Sequence, residues 1–210
     1  MNHESTSEAV GRTLRPESAT IHFANDPLAV RHFLREGGFD IAEFQAITSG
    51  DGGAVLRFAR HHGWPVCLRS TRGAQRRCDV RVVRPCTDLD QIWAKTAEEQ
   101  WLVDAYEPLA LELTVTIAQR PSGHRVVYPV YATDRSYRQP RQMSAEADPI
   151  NDRATAIATS IVEGIDATGI LTVKLLATRD GRLLVDDFAH GPYDVEETGV
   201  SGGEDPLRCA

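Results

Sequence analysis

The sequence predicts an α+β protein built on largely antiparallel sheets. Three observations support this. Helical segments separate groups of strands and do not alternate with them one by one; strands recur as turn-linked neighbours; and the last such pair turns at Asp180-Gly181, a strong hairpin signal. The phosphate-binding patterns G-x-G-x-x-G and G-x-x-x-x-G-K-S/T do not occur, and no period of roughly 20 to 50 residues recurs, so neither a doubly wound fold nor a repeat array is indicated.

Each element has a local reason. Residues 1–20 mix polar types without periodicity and read as a flexible leader. Asp26 caps a helix with Pro27 at its first position, Leu28, Ala29, Phe33 and Leu34 form its apolar stripe, and Gly37-Gly38 end it. Residues 41–47 alternate as a half-buried strand, 49–53 turn, and 54–62 form a helix closed by Gly63. Strands over 64–68 and 79–83 flank the polar stretch RSTRGAQRRC, and Thr87 or Asp88 caps a helix over 89–96. Strands follow at 102–106, 111–118 and 124–131, the last two joined through the turn RPSG. After a loop-rich stretch over 132–149, Asn151 or Asp152 caps a helix to about Ile165 with Ala154, Ile157, Ala158, Ile161 and Val162 on one face. A hairpin of strands 170–177 and 182–188 closes the series. A two-residue turn there sets Arg179 against Arg182, Leu176 against Val185 and Lys174 against Asp187. Residues 193–210 read as a loose acidic tail.

With 210 residues, 41% of them hydrophobic, the chain can bury one large core or two small ones. Its 30 carboxylates outnumber 23 basic residues for a net charge of −7, which leaves no basic footprint for nucleic acid. No apolar run approaches the roughly 20 residues of a membrane span, and Met1 to Ser18 contain no hydrophobic signal region, so a soluble cytoplasmic protein with no membrane partner is expected. Cys67, Cys78, Cys86 and Cys209 form no C-x-x-C pair and read as reduced thiols, with Cys67 in the core. Cys78 stands near Arg76, Arg77 and Arg81, which favour a thiolate, but no histidine pairs with it in a known pattern.

Across about residues 26–192, several stretches resemble the two ATP-grasp lobes of the purine-pathway 5-(carboxyamino)imidazole ribonucleotide synthase family. They are the helix DPLAVRHFLREGGFDIAEF, the strand and loop WPVCLRSTRG, the strand ELTV, the pair Tyr128-Pro129 and the hairpin GILTVKLLATRDGRLLVDDFA. The resemblance implies an ATP-grasp fold over residues 21–192, with a smaller lobe at about 40–100 and a larger one at about 101–192. The family's amino-terminal and carboxy-terminal lobes have no counterpart, so the chain reads as an excised central module. It also implies ATP held between two antiparallel sheets, and magnesium held by carboxylates of the final hairpin. In the family these serve to phosphorylate bicarbonate and pass it to a ribonucleotide amine.

Carried over position by position, the family's pattern is partly kept. The arginine that follows the first helix's aspartate becomes Pro27, which has no donor to offer. The phosphate lysine becomes Arg69, which keeps the charge with a different fork and is the one catalytic candidate if the chain is active. The glycine-rich loop corresponds to residues 73–79, where one glycine is left, so Arg72, Arg76 and Arg77 would hold an anion through side chains. The adenine hinge corresponds to Asp104, Ala105, Tyr106 and Glu107, and the ribose carboxylate to Glu112.

The two metal-holding glutamates correspond to Lys174 and Asp187, which are expected to form a cross-strand ion pair. A charged lysine has no lone pair for a metal, so magnesium binding in the family's manner is expected to fail. Asp186, on the opposite face by alternation, remains only as a weak lone ligand, and His190 replaces the start of the family's basic substrate run. Two functions follow. One is a catalytically degenerate nucleotide-binding or regulatory module; the other is an active ATP-dependent carboxylate or bicarbonate–amine ligase. Either would work as a homo-oligomer or beside a second chain that supplies the absent lobes, and a purely structural partner is the third reading.

Overall fold

The computed structural model describes residues 26–71, 80–94, 100–133, 140–142 and 149–191. In chain order the elements are α1 (Pro27–Glu36), β1 (Phe44–Thr48), α2 (Gly52–His62), β2 (Val66–Ser70), β3 (Val80–Val83), α3 (Leu89–Ala94) and β4 (Gln100–Ala105). There follow β5 (Leu109–Gln119), β6 (Arg125–Val127), β7 (Tyr131–Thr133), β8 (Pro140–Gln142), α4 (Pro149–Gly164), β9 (Gly169–Thr178) and β10 (Leu183–His190). The architecture is α+β with antiparallel sheets, and the chain divides into two compact units: residues 42–108, and residues 26–41 together with 109–191.

The smaller unit is a four-stranded sheet in the order β1-β4-β2-β3, with every pair antiparallel. Alternate residues point to α2 and α3, where Ile47, Val55, Phe58, Val66, Leu68, Ile92, Trp101 and Val103 form the core. Helix α2 starts two residues before the apolar pattern suggested, because Asp51 is its cap and accepts the Ala54 N–H at 2.8 Å. Cys67 was expected in the core; it is half-buried and falls on the opposite face, in register with Asp104.

The larger unit is a six-stranded antiparallel sheet in the order β10-β9-β5-β7-β8, with β6 also paired to β5. Helices α1 and α4 cover one face and share a core with Leu113, Val115, Ile117, Leu171, Val173, Leu175, Val185 and Phe188. Burying each of these side chains contributes about 1.5–3 kcal/mol. The α1 cap is as the sequence indicates: Asp26 accepts the N–H groups of Leu28 and Ala29 at 3.0 and 3.1 Å. A Cβ added at Gly164 would lie 3.1 Å from the Phe33 ring, so glycine there lets α4 approach α1 closely.

Four sequence expectations are corrected here. The single strand over 124–131 is two short strands, β6 and β7, interrupted around Pro129, which has no N–H for the ladder. Val127 faces Ile117 while Tyr131 faces Thr114, so the pairing with β5 steps by one residue across the break. The stretch read as loop contains β8. Helix α4 begins at Pro149, which places Asn151 and Asp152 inside its first turn.

The last correction concerns the hairpin. Gly181, at φ +86°, donates its N–H to the Thr178 carbonyl at 3.1 Å, so Arg179-Asp180-Gly181 is a three-residue loop. Leu176 therefore faces Leu184, not Val185. One residue further along, Asp186 is inserted between Val185, which faces Leu175, and Asp187, which faces Lys174. Two one-residue displacements cancel, and Lys174 still meets Asp187 across the strands.

Candidate functional site

In the larger unit the face turned away from α1 and α4 follows from alternation. Because Leu113, Val115, Leu171, Val173 and Leu175 point into the core, Glu112, Thr114, Thr172, Lys174 and Leu176 point the other way. The register assembles two rows on this face. One runs Tyr131, Thr114, Lys174, Asp187, and the next runs Thr133, Glu112, Leu176, Leu184. Glu112 is thus a diagonal neighbour of Lys174 across β5 and β9, within reach of long side chains. Glu112, Lys174 and Asp187 are all half-buried. Asp187 also accepts the N–H of Phe188 at 2.8 Å, which holds its carboxylate near the strand.

The neighbouring positions are firmly held. Thr172 is fully buried; its hydroxyl donates to the Gly191 carbonyl at 2.8 Å and lies 3.2 Å from the Thr116 hydroxyl. Asp186 is the inserted residue of β10, and its carboxylate lies 3.4 Å from the guanidinium of Arg31, which is almost wholly buried on α1. Arg31 also reaches the Val185 carbonyl at 3.4 Å. Sequence reasoning missed Arg31. Its position three residues from both Leu28 and Leu34 sets it on the apolar stripe, which was the available signal.

In the smaller unit, Arg69 on β2 directs its Nε to Asp104 on β4 at 3.2 Å, and the two side chains are only 10% and 3% exposed. The pair is a diagonal one, since Arg69 faces Leu102 and Asp104 faces Cys67. Asp104 and Ala105 lie inside β4 between β1 and β2, and the Ala105 N–H is taken by the Glu43 carbonyl at 2.8 Å. Of the four residues expected at the adenine hinge, only Tyr106, which is exposed, and the half-buried Glu107 lie beyond the strand. Arg72, Arg76, Arg77 and Cys78 lie outside the described residues. A surface depression beside β1 and the start of α2, lined by residues such as Ala46, Thr48, Asp51 and Arg57, contains none of the sequence-derived site residues.

The donor set on the final hairpin does not fit magnesium held by two carboxylates. Lys174 faces Asp187 there, and an ammonium group carries no lone pair and repels a dication. Among the described residues, no group of three or more His, Cys, Asp or Glu side chains is placed to hold a metal ion. No helix among them is long and apolar enough to cross a membrane.

Comparison with known proteins bears on this geometry. The family model of the ATP-grasp domain matches residues 32–200. The N5-carboxyaminoimidazole ribonucleotide synthase of Mycobacterium bovis is 26% identical over 200 residues, which cover 92% of this chain and 46% of that protein. The synthetase from Thermotoga maritima has a TM-score of 0.66 at 22% identity, covering 81% of this chain and 43% of its own. The synthase from Aspergillus clavatus, solved with ADP and 5-aminoimidazole ribonucleotide, has a TM-score of 0.70 at 17% identity, covering 83% of this chain and 46% of its own. At these identities the solved structures speak for the fold, and the chain spans about half the length of the relatives it matches. With the domain model extending over both antiparallel sheets and well over half of the sequence, the chain belongs to the ATP-grasp family.

Proposed function

We propose that this chain is a nucleotide-binding or regulatory module of the ATP-grasp family that lacks the metal-dependent phosphoryl-transfer step. One observation supports the reading above the others: Lys174 stands opposite Asp187 where the family resemblance calls for two carboxylates. Phosphoryl transfer in this class depends on a divalent ion to neutralise charge that develops on the transferred group. A tethered ammonium neutralises phosphate charge on binding but cannot bridge attacking and leaving oxygens. In this reading Glu112 receives the ribose hydroxyls, and the backbone at Tyr106 and Glu107 meets the adenine edge. Arg72 and Arg69 supply positive charge to the phosphates, with Arg69 held in place by Asp104.

Thermal unfolding of the full chain with ATP, in magnesium and in chelator, tests this. The expected result is stabilisation of equal size in both, about 2.7 kcal/mol when ATP is at a hundred times its Kd. A shift that requires magnesium overturns the reading. It would favour the alternative, an active ATP-dependent carboxylate or bicarbonate–amine ligase working with a separate partner. No shift with ATP points to a structural role.

A further inference from the structure

We propose that Arg31 is the positioning residue that decides which of two adjacent aspartates, Asp186 or Asp187, faces Lys174. Val185 and Phe188 are both in the core, although they are three residues apart. Strict alternation would put Val185 and Asp187 on one face and turn Phe188 outward, so burying Phe188 requires one inserted residue between them. The burial is firm: Phe188 is fully buried and meets Phe33 edge-on, with ring centroids 6.1 Å apart.

The core does not say which residue is inserted. Inserting Asp187 would bury Phe188 equally well and would leave Asp186 opposite Lys174. The two candidates are chemically identical, so something outside the strand must choose. Arg31 contacts the Val185 carbonyl through one guanidinium nitrogen and the Asp186 carboxylate through another, each at 3.4 Å. That fork grips the chain at the point of insertion and supplies the counter-charge for a carboxylate 17% exposed. Asp186 is thereby the inserted residue, and Asp187 is left in register with Lys174. The functional importance of this choice rests on the reading of Lys174 and Asp187 given above, whereas the register does not.

The experiment is nuclear magnetic resonance on the labelled full chain without ligand, following the cross-strand amide contact of Lys174. The wild type should show Lys174 against Asp187. In Arg31→Met a Lys174–Asp186 contact should appear, its population raised at least about tenfold, as expected when a charge-assisted hydrogen bond is removed. Arg31→Lys keeps the cation without the fork and should fall between the two; it also carries the test if Arg31→Met does not fold. A folded variant that melts earlier but keeps the Lys174–Asp187 contact unchanged overturns the proposal, because Arg31 would then be structural only. Because no nucleotide is present, a chain that fails to bind ATP leaves this result unaffected.

Discussion

Each unit places an acid and a base on the sheet face opposite its helices, and the variable that matters between the two pairs is burial. Arg69 and Asp104 are nearly sealed from solvent, whereas Lys174 and Asp187 are half-buried. A sealed pair is costly to separate, since either partner alone becomes an uncompensated charge in a medium of low polarity. A half-buried pair can exchange its partner for water or for a ligand's charge at small cost. The same charge chemistry is therefore architecture in the smaller unit and a candidate recognition element in the larger one. Arg69, read from the sequence as a phosphate ligand, is thus first a cross-strand tie.

The contrast is most easily broken at the sealed pair. Asp104→Ala should cost about 3–5 kcal/mol in urea unfolding, and combining it with Arg69→Met should restore most of that, because a matched apolar pair leaves no charge behind. A loss under about 1 kcal/mol would mean that the pair behaves as a surface one.

A smaller stability effect is expected at the half-buried pair. Lys174→Glu should cost no more than about 1 kcal/mol without metal, from two like charges facing each other across β9 and β10. It should, however, raise affinity for magnesium or manganese in calorimetric titration. Unchanged divalent binding would show that this face is not the counterpart of the family's metal site.

The smallest effect belongs to a third, exposed group in the hairpin loop. The Thr178 hydroxyl donates to Asp180 and, with a secondary contribution from Arg182, holds the Asp180 carboxyl below its ordinary range. Because the folded value is the lower one, its contribution to stability is complete above the unfolded value. That contribution is lost as pH falls through the folded value. Thr178→Val should move the Asp180 titration, followed by resonance shifts, back toward the usual carboxylate range. A titration that does not move would assign the shift to Arg182 alone.

How far the sequence was legible varies by element. The α1 cap, its proline and its glycine stop were all readable, because each acts within a turn of itself. In the larger-unit sheet β5, β9 and β10 were readable, whereas Pro129 splits the alternating stretch over 124–131 into β6 and β7, and the three-residue β8 carries no alternation long enough to mark it. In the hairpin, Asp180-Gly181 marks the turn but not its length, because Arg179 joins the loop and Gly181 reaches the Thr178 carbonyl. Lys174 meets Asp187 only because the insertion at Asp186 offsets the longer loop. Glu112, Lys174 and Asp187 are singled out by position in the family pattern and the register brings them to one face, while Arg31 falls in a helix whose signal is its apolar stripe.

The sequence by itself determined the start and stop of α1 and which residues of β5 and β9 alternate toward the helices, since those choices depend on neighbours a few positions away. It also determined the chemical types present on the final hairpin. Only the tertiary structure decided the phase of β10 past Val185. An inserted residue is selected by the pocket Phe188 must fill and by a guanidinium 155 positions earlier in the chain. Only packing likewise decided that Arg69 is sealed against Asp104, because burial is a property of the assembled sheet and not of either residue.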